Sequence, residues 1–152
     1  MIIESPPIMQ QGSIPARHTC DGINISPPLI WRDIPAGTRS LALIVDDPDA
    51  PDPAAPKTTW VHWVLYNIPP DAGALKEGSI PSGAKQGIND SRRSGYSGPC
   101  PPTGRHRYFF KLYALDIVLP DLVNPSKAVL LEAMHGHVLG TAQMIGLYQR
   151  QR

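Results

Sequence analysis

Residues 40–48 read Ser-Leu-Ala-Leu-Ile-Val-Asp-Asp-Pro, and this segment decides the class of fold. The aliphatic run predicts a β-strand over 40–46, which ends at Asp47 because the following Pro48 lacks the backbone N–H that a sheet ladder needs. Side chains alternate between the two faces of a strand, so Asp47 lies on the face of the leucines and the valine, and Asp46 points to the opposite side. The sequence therefore predicts a carboxylate at the end of an apolar sheet face.

Two further runs predict neighbouring strands. Residues 60–68, Trp-Val-His-Trp-Val-Leu-Tyr-Asn-Ile, are apolar on both faces, which is typical of a central strand covered on both sides. Residues 106–115, His-Arg-Tyr-Phe-Phe-Lys-Leu-Tyr-Ala-Leu, place His106 at the tip of a largely apolar face. Simple alternation puts His62 on one face with three other residues of its strand: Val64, Tyr66 and Ile68.

Composition favours a β-rich chain. Of 152 residues, 18 are proline and 13 are glycine, which excludes a long helical bundle because both residues interrupt helices. One helix is predicted over 126–135, with Asn124 as its cap and Pro125 in its first position, and a last strand over 140–148. We therefore expect one domain, residues 1–152, folded as a mostly-β antiparallel β-sandwich with long Pro/Gly-rich loops and one or two short helices near the C-terminus.

The charge of the chain limits its classes of function. The formal net charge is +1, so the chain lacks the basic field that drives nucleic-acid binding. Four arginines are close in sequence and are interpreted as a solvated loop, the alternative being a rim that attracts anions: Arg92, Arg93, Arg105 and Arg107.

Hydropathy and cysteine content bear on location. No apolar stretch is long enough to span a bilayer, and the N-terminus lacks the features of a signal peptide. We therefore expect a cytoplasmic protein without a transmembrane segment, in which Cys20 and Cys100 stay reduced. A disulfide between them would need Cα atoms within about 7 Å, which leaves their redox state open.

Three ionisable side chains, Asp47, His62 and His106, interrupt apolar sheet faces. If their strands are neighbours in one sheet, these side chains converge at one end. A carboxylate orients an imidazole and favours its charged form, so Asp47 would hold two histidines that accept a phosphate, sulfate or carboxylate. Backbone N–H groups of the loop at Gly98 would complete this pocket. The alternative interpretation is that each histidine is a hydrogen-bonded structural side chain.

Other candidate residues have structural explanations. Trp60 shares the face of His62 and would either belong to the core or form a wall of the pocket. His135 and His137 lie at the end of the predicted helix, where the helix dipole favours a cation.

Two longer motifs surround these residues. Residues 46–51 read Asp-Asp-Pro-Asp-Ala-Pro, and residues 98–108 read Gly-Pro-Cys-Pro-Pro-Thr-Gly-Arg-His-Arg-Tyr. With the Trp-Val-His of residues 60–62 between them, they resemble the phosphatidylethanolamine-binding protein family, also called the Raf kinase inhibitor proteins. Residues 19–28 and 136–139 are similar to its compact bacterial and archaeal branch, which lacks the C-terminal helical tail of the animal proteins.

The resemblance implies a β-sandwich with a small surface cavity for phosphate-like anions and phospholipid headgroups. It implies no cofactor, no metal and no catalytic residue. It also implies a homodimer, as in several prokaryotic members, and a kinase or serine protease as protein partner. Cys100 stands where the animal proteins carry proline, so its thiol is expected at the cavity rim. The cavity residues that the resemblance implies are Asp47, Asp49, Trp60, His62, Gly98, Cys100, His106 and Tyr108.

Three functions are compatible with this sequence. The favoured one is a non-enzymatic binding protein that holds a small anionic or phosphorylated ligand and tunes a protein partner. The second is a kinase or serine protease inhibitor that acts through an exposed Pro-rich loop, residues 47–56, with the pocket incidental. The third, a metal-dependent hydrolase, is disfavoured because the sequence has no spaced pair of metal-binding histidines and no nucleophile elbow.

Overall fold

Two antiparallel β-sheets make up the computed structural model, which describes residues 1–150. The strands are β1 (Ile2–Glu4), β2 (Leu29–Arg32), β3 (Ser40–Ala50), β4 (Thr58–Ile68), β5 (Ala74–Leu75), β6 (Lys85–Gln86), β7 (His106–Leu115) and β8 (Val138–Tyr148), with one α-helix, α1 (Lys127–Met134), and two 3-10 turns (Ala16–His18 and Pro70–Ala72). The larger sheet has the order β6–β4–β3–β7–β8 and the smaller one β1–β2–β5. The predicted mostly-β sandwich with a helix near the C-terminus is confirmed.

The larger sheet is the middle of three layers. On one face, Leu43 of β3 belongs to a buried cluster with Trp31 of the small sheet. On the other face, Ile44 packs in a second cluster with Leu130 of α1. Because both faces are covered, the central strands carry apolar residues at successive positions, as the sequence of residues 60–68 predicts.

A β-bulge in β4 determines where His62 lies. The partner of Val45 in β3 is Trp63, whereas the partner of Asp46 is Val61. His62 is therefore an extra residue that has no partner in the ladder. A bulge of this kind re-aims side chains and interrupts the two-residue period.

The predicted face of His62 is partly wrong for this reason. Val64 and Tyr66 lie in the cluster under the helix, whereas His62 lies on the opposite face with Tyr108. A second irregularity follows near Asn67, which has a φ of 55°, and it returns Ile68 to the side of His62. Two bulges in one strand thus place His62 toward the small sheet.

The strand β3 runs to Ala50, past the predicted end at Asp47. Its ladder to β7 stops at the pair of Asp46 and Phe109, and its ladder to β4 is irregular between Asp47 and Ala50. The missing N–H of Pro48 falls where regular pairing is already interrupted, so proline is tolerated there.

Asp46 lies on the opposite side of the sheet from Asp47, as predicted. Its side chain is fully buried, and Oδ2 accepts hydrogen bonds from Nζ of Lys127 at 2.7 Å and of Lys111 at 3.1 Å. Because Lys127 is the first residue of α1, this ion pair fastens the helix to the larger sheet.

The cap of α1 differs from the prediction. Oγ of Ser126 accepts a hydrogen bond from the N–H of Val129 at 3.2 Å, so Ser126 is the cap, and Asn124 as the cap is wrong. The helix ends before His135, and Gly136 follows with a φ of 81°. His137 binds the carboxylate of Asp116, with 2.8 Å between Nδ1 and Oδ1.

Cys20 and Cys100 form a disulfide, so the expectation of two reduced thiols is wrong. Their Cα atoms lie 5.4 Å apart, and the bond joins positions separated by 80 residues. Disulfides are typical of oxidising compartments and of intracellular proteins from hyperthermophiles, so the cytoplasmic location stays a prediction. Within residues 1–150, no helix has the length and apolar character that a membrane crossing requires.

Candidate functional site

A cavity of about 300 Å³ opens where β3, β4 and β7 meet the loop of residues 98–104. Seven of the predicted site residues line it: Asp47, Trp60, His62, Gly98, Cys100, His106 and Tyr108. Five lining residues escaped sequence reasoning: Ala50, Pro51, Ser91, Pro101 and Pro102. Ser91 lies in a loop without hydrophobic periodicity, so no local sequence pattern indicates that it lines the cavity. The lining prolines lie inside the two motifs quoted above.

Asp47 and His106 form a buried ion pair in one wall of the cavity. Oδ2 of Asp47 lies 2.6 Å from Nδ1 of His106, and its Oδ1 accepts the backbone N–H of Asp49 at 2.7 Å. The second ring nitrogen of His106 lies 2.9 Å from the carbonyl oxygen of Thr103. Both of these partners accept hydrogen bonds, so both bonds form together only when the ring carries two protons. The pair is then neutral overall and has no free polar atom on the imidazole.

His62 is held differently and keeps one nitrogen free. Its Nδ1 lies 2.6 Å from the carbonyl oxygen of Ser97, so Nδ1 donates and the neutral ring carries its lone pair on Nε2. Burial lowers the pKa of His62, and this effect exceeds the opposing effects of the Ser97 carbonyl and the nearby carboxylates. His62 is therefore neutral at neutral pH.

Tyr108 lies between the two histidines. Its ring stacks on that of His106, with centroids 6.3 Å apart, and meets the ring of His62 edge-on at 5.2 Å. Burial raises the pKa of its hydroxyl, and the charge of Asp47 adds to this effect. The hydroxyl is thus a protonated donor at neutral pH.

Asp49 does not line the cavity, which departs from the prediction that it is a ligand-binding residue. Its carboxylate accepts hydrogen bonds from Nε and Nη2 of Arg107, at 2.9 and 2.8 Å, and from the Arg107 backbone N–H at 2.9 Å. The hydrogen-bonded Arg107 guanidinium lowers the pKa of Asp49. Asp49 therefore supports the wall from behind by joining the end of β3 to the start of β7.

Gly98 lines the cavity, but its backbone N–H is not free for an anion. That N–H donates to Oδ1 of Asn24 at 2.9 Å, so this one donor of the loop is not available to a ligand. A Cβ at this position would lie 2.2 Å from the carbonyl oxygen of His18. Glycine is thus required because two loops approach each other closely here.

The mouth of the cavity is formed by the disulfide and by Trp60. Trp60 is 39% exposed, so it is a wall residue rather than a core residue. Cys100 is exposed and lines the cavity as half of a disulfide, not as the expected thiol. In the described part of the chain, no group of three or more His, Cys, Asp and Glu side chains is arranged to hold a metal ion.

Comparison with known proteins gives a consistent result. The family model described as phosphatidylethanolamine-binding protein matches residues 4–149. The chain is 57% identical over 145 residues to a UPF0098 protein of Methanothermobacter thermautotrophicus, covering 92% of this chain and 93% of that protein.

Two crystal structures are similar in fold and sequence. A phosphatidylethanolamine-binding protein homolog, CT736 from Chlamydia trachomatis, has a TM-score of 0.93 and 42% identity, covering 99% of this chain and 97% of that chain. YbcL of E. coli, described as a new member of the mammalian family, has a TM-score of 0.88 and 32% identity, with 98% of each chain covered.

Proposed function

Because the chain belongs to the phosphatidylethanolamine-binding protein family, we propose that it is a non-enzymatic binding protein whose cavity takes a small phosphorylated or otherwise anionic group and that the occupied cavity tunes a protein partner. One observation carries this proposal. The cavity is preformed and open, and it presents the polar groups of His62 and Tyr108 against a wall in which the carboxylate of Asp47 is already hydrogen-bonded to His106. A preformed pocket with a few convergent polar groups is the usual form of a small-molecule site.

The charge around the mouth supports an anionic ligand. Two exposed arginines are neighbours of lining residues in the chain: Arg92 follows Ser91, and Arg105 precedes His106. Asp47 is the carboxylate that lines the cavity, and both of its oxygens already accept hydrogen bonds, one from His106 and one from the backbone N–H of Asp49. Exposed positive side chains near a partly buried cavity raise the local concentration of anions.

Isothermal titration calorimetry with inorganic phosphate tests this function. We expect saturable binding by the native protein and a large loss of affinity in His62→Ala. The matched control is His137→Ala, which removes a partly exposed histidine between α1 and β8 that does not line the cavity and should leave the affinity unchanged. Absence of phosphate binding at millimolar concentration in the native protein would overturn the proposal.

A second candidate function, inhibition of a protease or kinase, is favoured by the turn between β3 and β4. This turn is mostly exposed, and two backbone hydrogen bonds hold its conformation. The N–H of Ala55 donates to the carbonyl of Asp52 at 2.9 Å, and the N–H of Lys57 donates to the carbonyl of Ala50 at 2.8 Å. A rigid exposed loop binds a cleft with little loss of conformational entropy. Inhibition of a trypsin-like protease that survives His62→Ala, but is lost when residues 52–56 are replaced by glycine and serine, would support this function.

A homodimer is likewise an expectation, which sedimentation velocity would test.

A further inference from the structure

The free polar atoms of the cavity define its ligand more narrowly than its family does. We propose that the cavity binds a phosphoryl group only together with one acidic hydrogen, so that it accepts phosphate monoesters and rejects sulfate and phosphate diesters. This inference rests on the proposed anion-binding function. It assigns to His62 the role of hydrogen-bond acceptor for the ligand and to Tyr108 the role of donor.

Most polar groups in the cavity wall are already used. Both carboxylate oxygens of Asp47 accept hydrogen bonds, and both ring nitrogens of His106 face oxygen acceptors. The backbone N–H of Gly98 donates to Asn24. None of these groups offers a free hydrogen to an anion, so donors to a ligand oxygen must come from the other lining side chains, the hydroxyls of Tyr108 and Ser91 and the indole N–H of Trp60.

His62 supplies a free acceptor. Its Nδ1–H is committed to the Ser97 carbonyl, and Nε2 has no partner in the described chain. The side chain of His62 is only 6% exposed, but its Nε2 is accessible to solvent. Because His62 lines the cavity, the solvent that contacts Nε2 is the solvent in the cavity. An unpartnered imidazole lone pair that faces a ligand site requires a hydrogen from the ligand.

Tyr108 supplies the complementary donor. The Tyr108 hydroxyl makes no hydrogen bond within residues 1–150. Tyr108 lines the cavity beside His62. The O–H can therefore donate to an ionised oxygen of the ligand. The monoanion of a phosphate monoester matches this arrangement, since it carries one P–OH for Nε2 and ionised oxygens for the tyrosine.

Sulfate and phosphate diesters do not supply the hydrogen that Nε2 of His62 requires. At neutral pH neither carries a hydrogen on the oxygens of its anionic group, so a lone pair of the anion would face the lone pair of Nε2. The alternative, protonation of His62, is opposed by burial, although three carboxylates act in its favour: Asp46, Asp47 and Asp90. Leaving a buried acceptor unsatisfied reduces affinity by roughly 5- to 150-fold.

The requirement for a hydrogen links binding to pH. The second pKa of a phosphate monoester is about 6. Above that pH the monoanion becomes scarcer, so the affinity falls by about tenfold for each pH unit between pH 7 and 8.5. Since the complex holds one proton more than the free cavity and the dianion, binding at pH 8 takes up one proton. Sulfate binding, in contrast, strengthens only when acid protonates His62.

Titration calorimetry with small probes tests this inference directly. The probes are methyl phosphate, dimethyl phosphate as the diester, and sulfate. At pH 7 we expect methyl phosphate to bind at least about tenfold more tightly than the other two. Repeating the pH 8 titration in buffers of different ionisation enthalpy counts the protons taken up, and the expected number is one.

Two variants separate specificity from mere folding. His62→Gln, whose amide both donates and accepts, should bind sulfate and methyl phosphate within a few-fold of each other and lose the proton uptake. Tyr108→Phe should weaken both anions and keep the uptake. Circular dichroism confirms that each is folded, and His137→Gln is the matched control. Equal affinity of the native protein for sulfate and methyl phosphate, or no proton uptake, overturns the inference but leaves anion binding intact, whereas no binding of any probe overturns both.

Discussion

Removal of the disulfide between Cys20 and Cys100 should lower the stability of this protein by a large and calculable amount. The bond joins positions separated by 80 residues, more than half of the 152-residue chain. A crosslink stabilises a protein chiefly by restricting its unfolded state, and a loop of this length corresponds to about 4.5 kcal/mol in the free energy of unfolding at 25 °C. For a domain of this size, that loss lowers the melting temperature by roughly 9–18 °C.

Differential scanning calorimetry of three samples checks this prediction. The samples are the oxidised native protein, the native protein with the disulfide reduced, and the double variant Cys20→Ser, Cys100→Ser. Reduction breaks the bond without a substitution, so the reduced protein is the control for the double variant, and the two should melt at similar temperatures. A difference of less than about 2 °C between oxidised and reduced protein would refute the loop-closure reasoning. Two free thiols in the untreated protein would refute the pairing itself.

Native hydrogen bonds near the disulfide explain why the folded state should survive its loss. The N–H of Cys20 donates to the carbonyl of Pro99 at 3.1 Å, and the N–H of Gly98 donates to Asn24 at 2.9 Å. These two bonds join the same loops that the disulfide joins. The reduced protein should therefore keep its cavity below its lower melting temperature, and phosphate should still raise that temperature.

Three further predictions concern individual contacts. Asp49→Asn should lower the free energy of unfolding by about 1–3 kcal/mol at pH 7, because it weakens charged hydrogen bonds to Arg107. Arg107 lowers the pKa of Asp49, so that stabilisation is present above pH 3.8 and is lost as the pH falls through the lower pKa of the folded state. The free energies of unfolding of the variant and the native protein, measured in urea, should therefore converge in acid. Gly98→Ala should destabilise by about 1–3 kcal/mol because its Cβ would lie 2.2 Å from the His18 carbonyl; an unchanged urea midpoint would contradict this. Ser126→Ala should cost about 1 kcal/mol through the lost cap of α1, and a loss below about 0.3 kcal/mol would show that this cap does not stabilise the helix.

The long strands could be predicted because each carries its own pattern. β7 begins and ends where the alternation of residues 106–115 places it, and β8 contains the predicted strand of residues 140–148. The strands of the small sheet and β6 are two to four residues long and were not predicted. Such short runs contain too few residues to show a period, so only their pairing with distant segments determines them.

The disulfide illustrates a second limit of sequence reasoning. The expected compartment favoured reduced thiols, whereas pairing depends on the distance between two loops that lie 80 residues apart in the chain. The partner of the Gly98 N–H could not be predicted for a related reason. A loop glycine suggests an available backbone donor, but the side chain that occupies this donor, Asn24, comes from a distant segment without any local signal.

The sequence predicted most residues of the site but not the role of each residue, and the bulge at His62 shows why. Asp47 and His106 reach the cavity through plain alternation along β3 and β7, and they are hydrogen-bonded to each other there. His62 reaches the same cavity only because an extra residue in β4 turns it away from the helix side of the sheet. A regular strand would bury this histidine under α1 and leave the wall without its free imidazole nitrogen. The irregularity that made His62 hard to place from the sequence is thus the feature that leaves its Nε2 open to a ligand, and on this atom the expected choice between phosphate monoesters and sulfate depends.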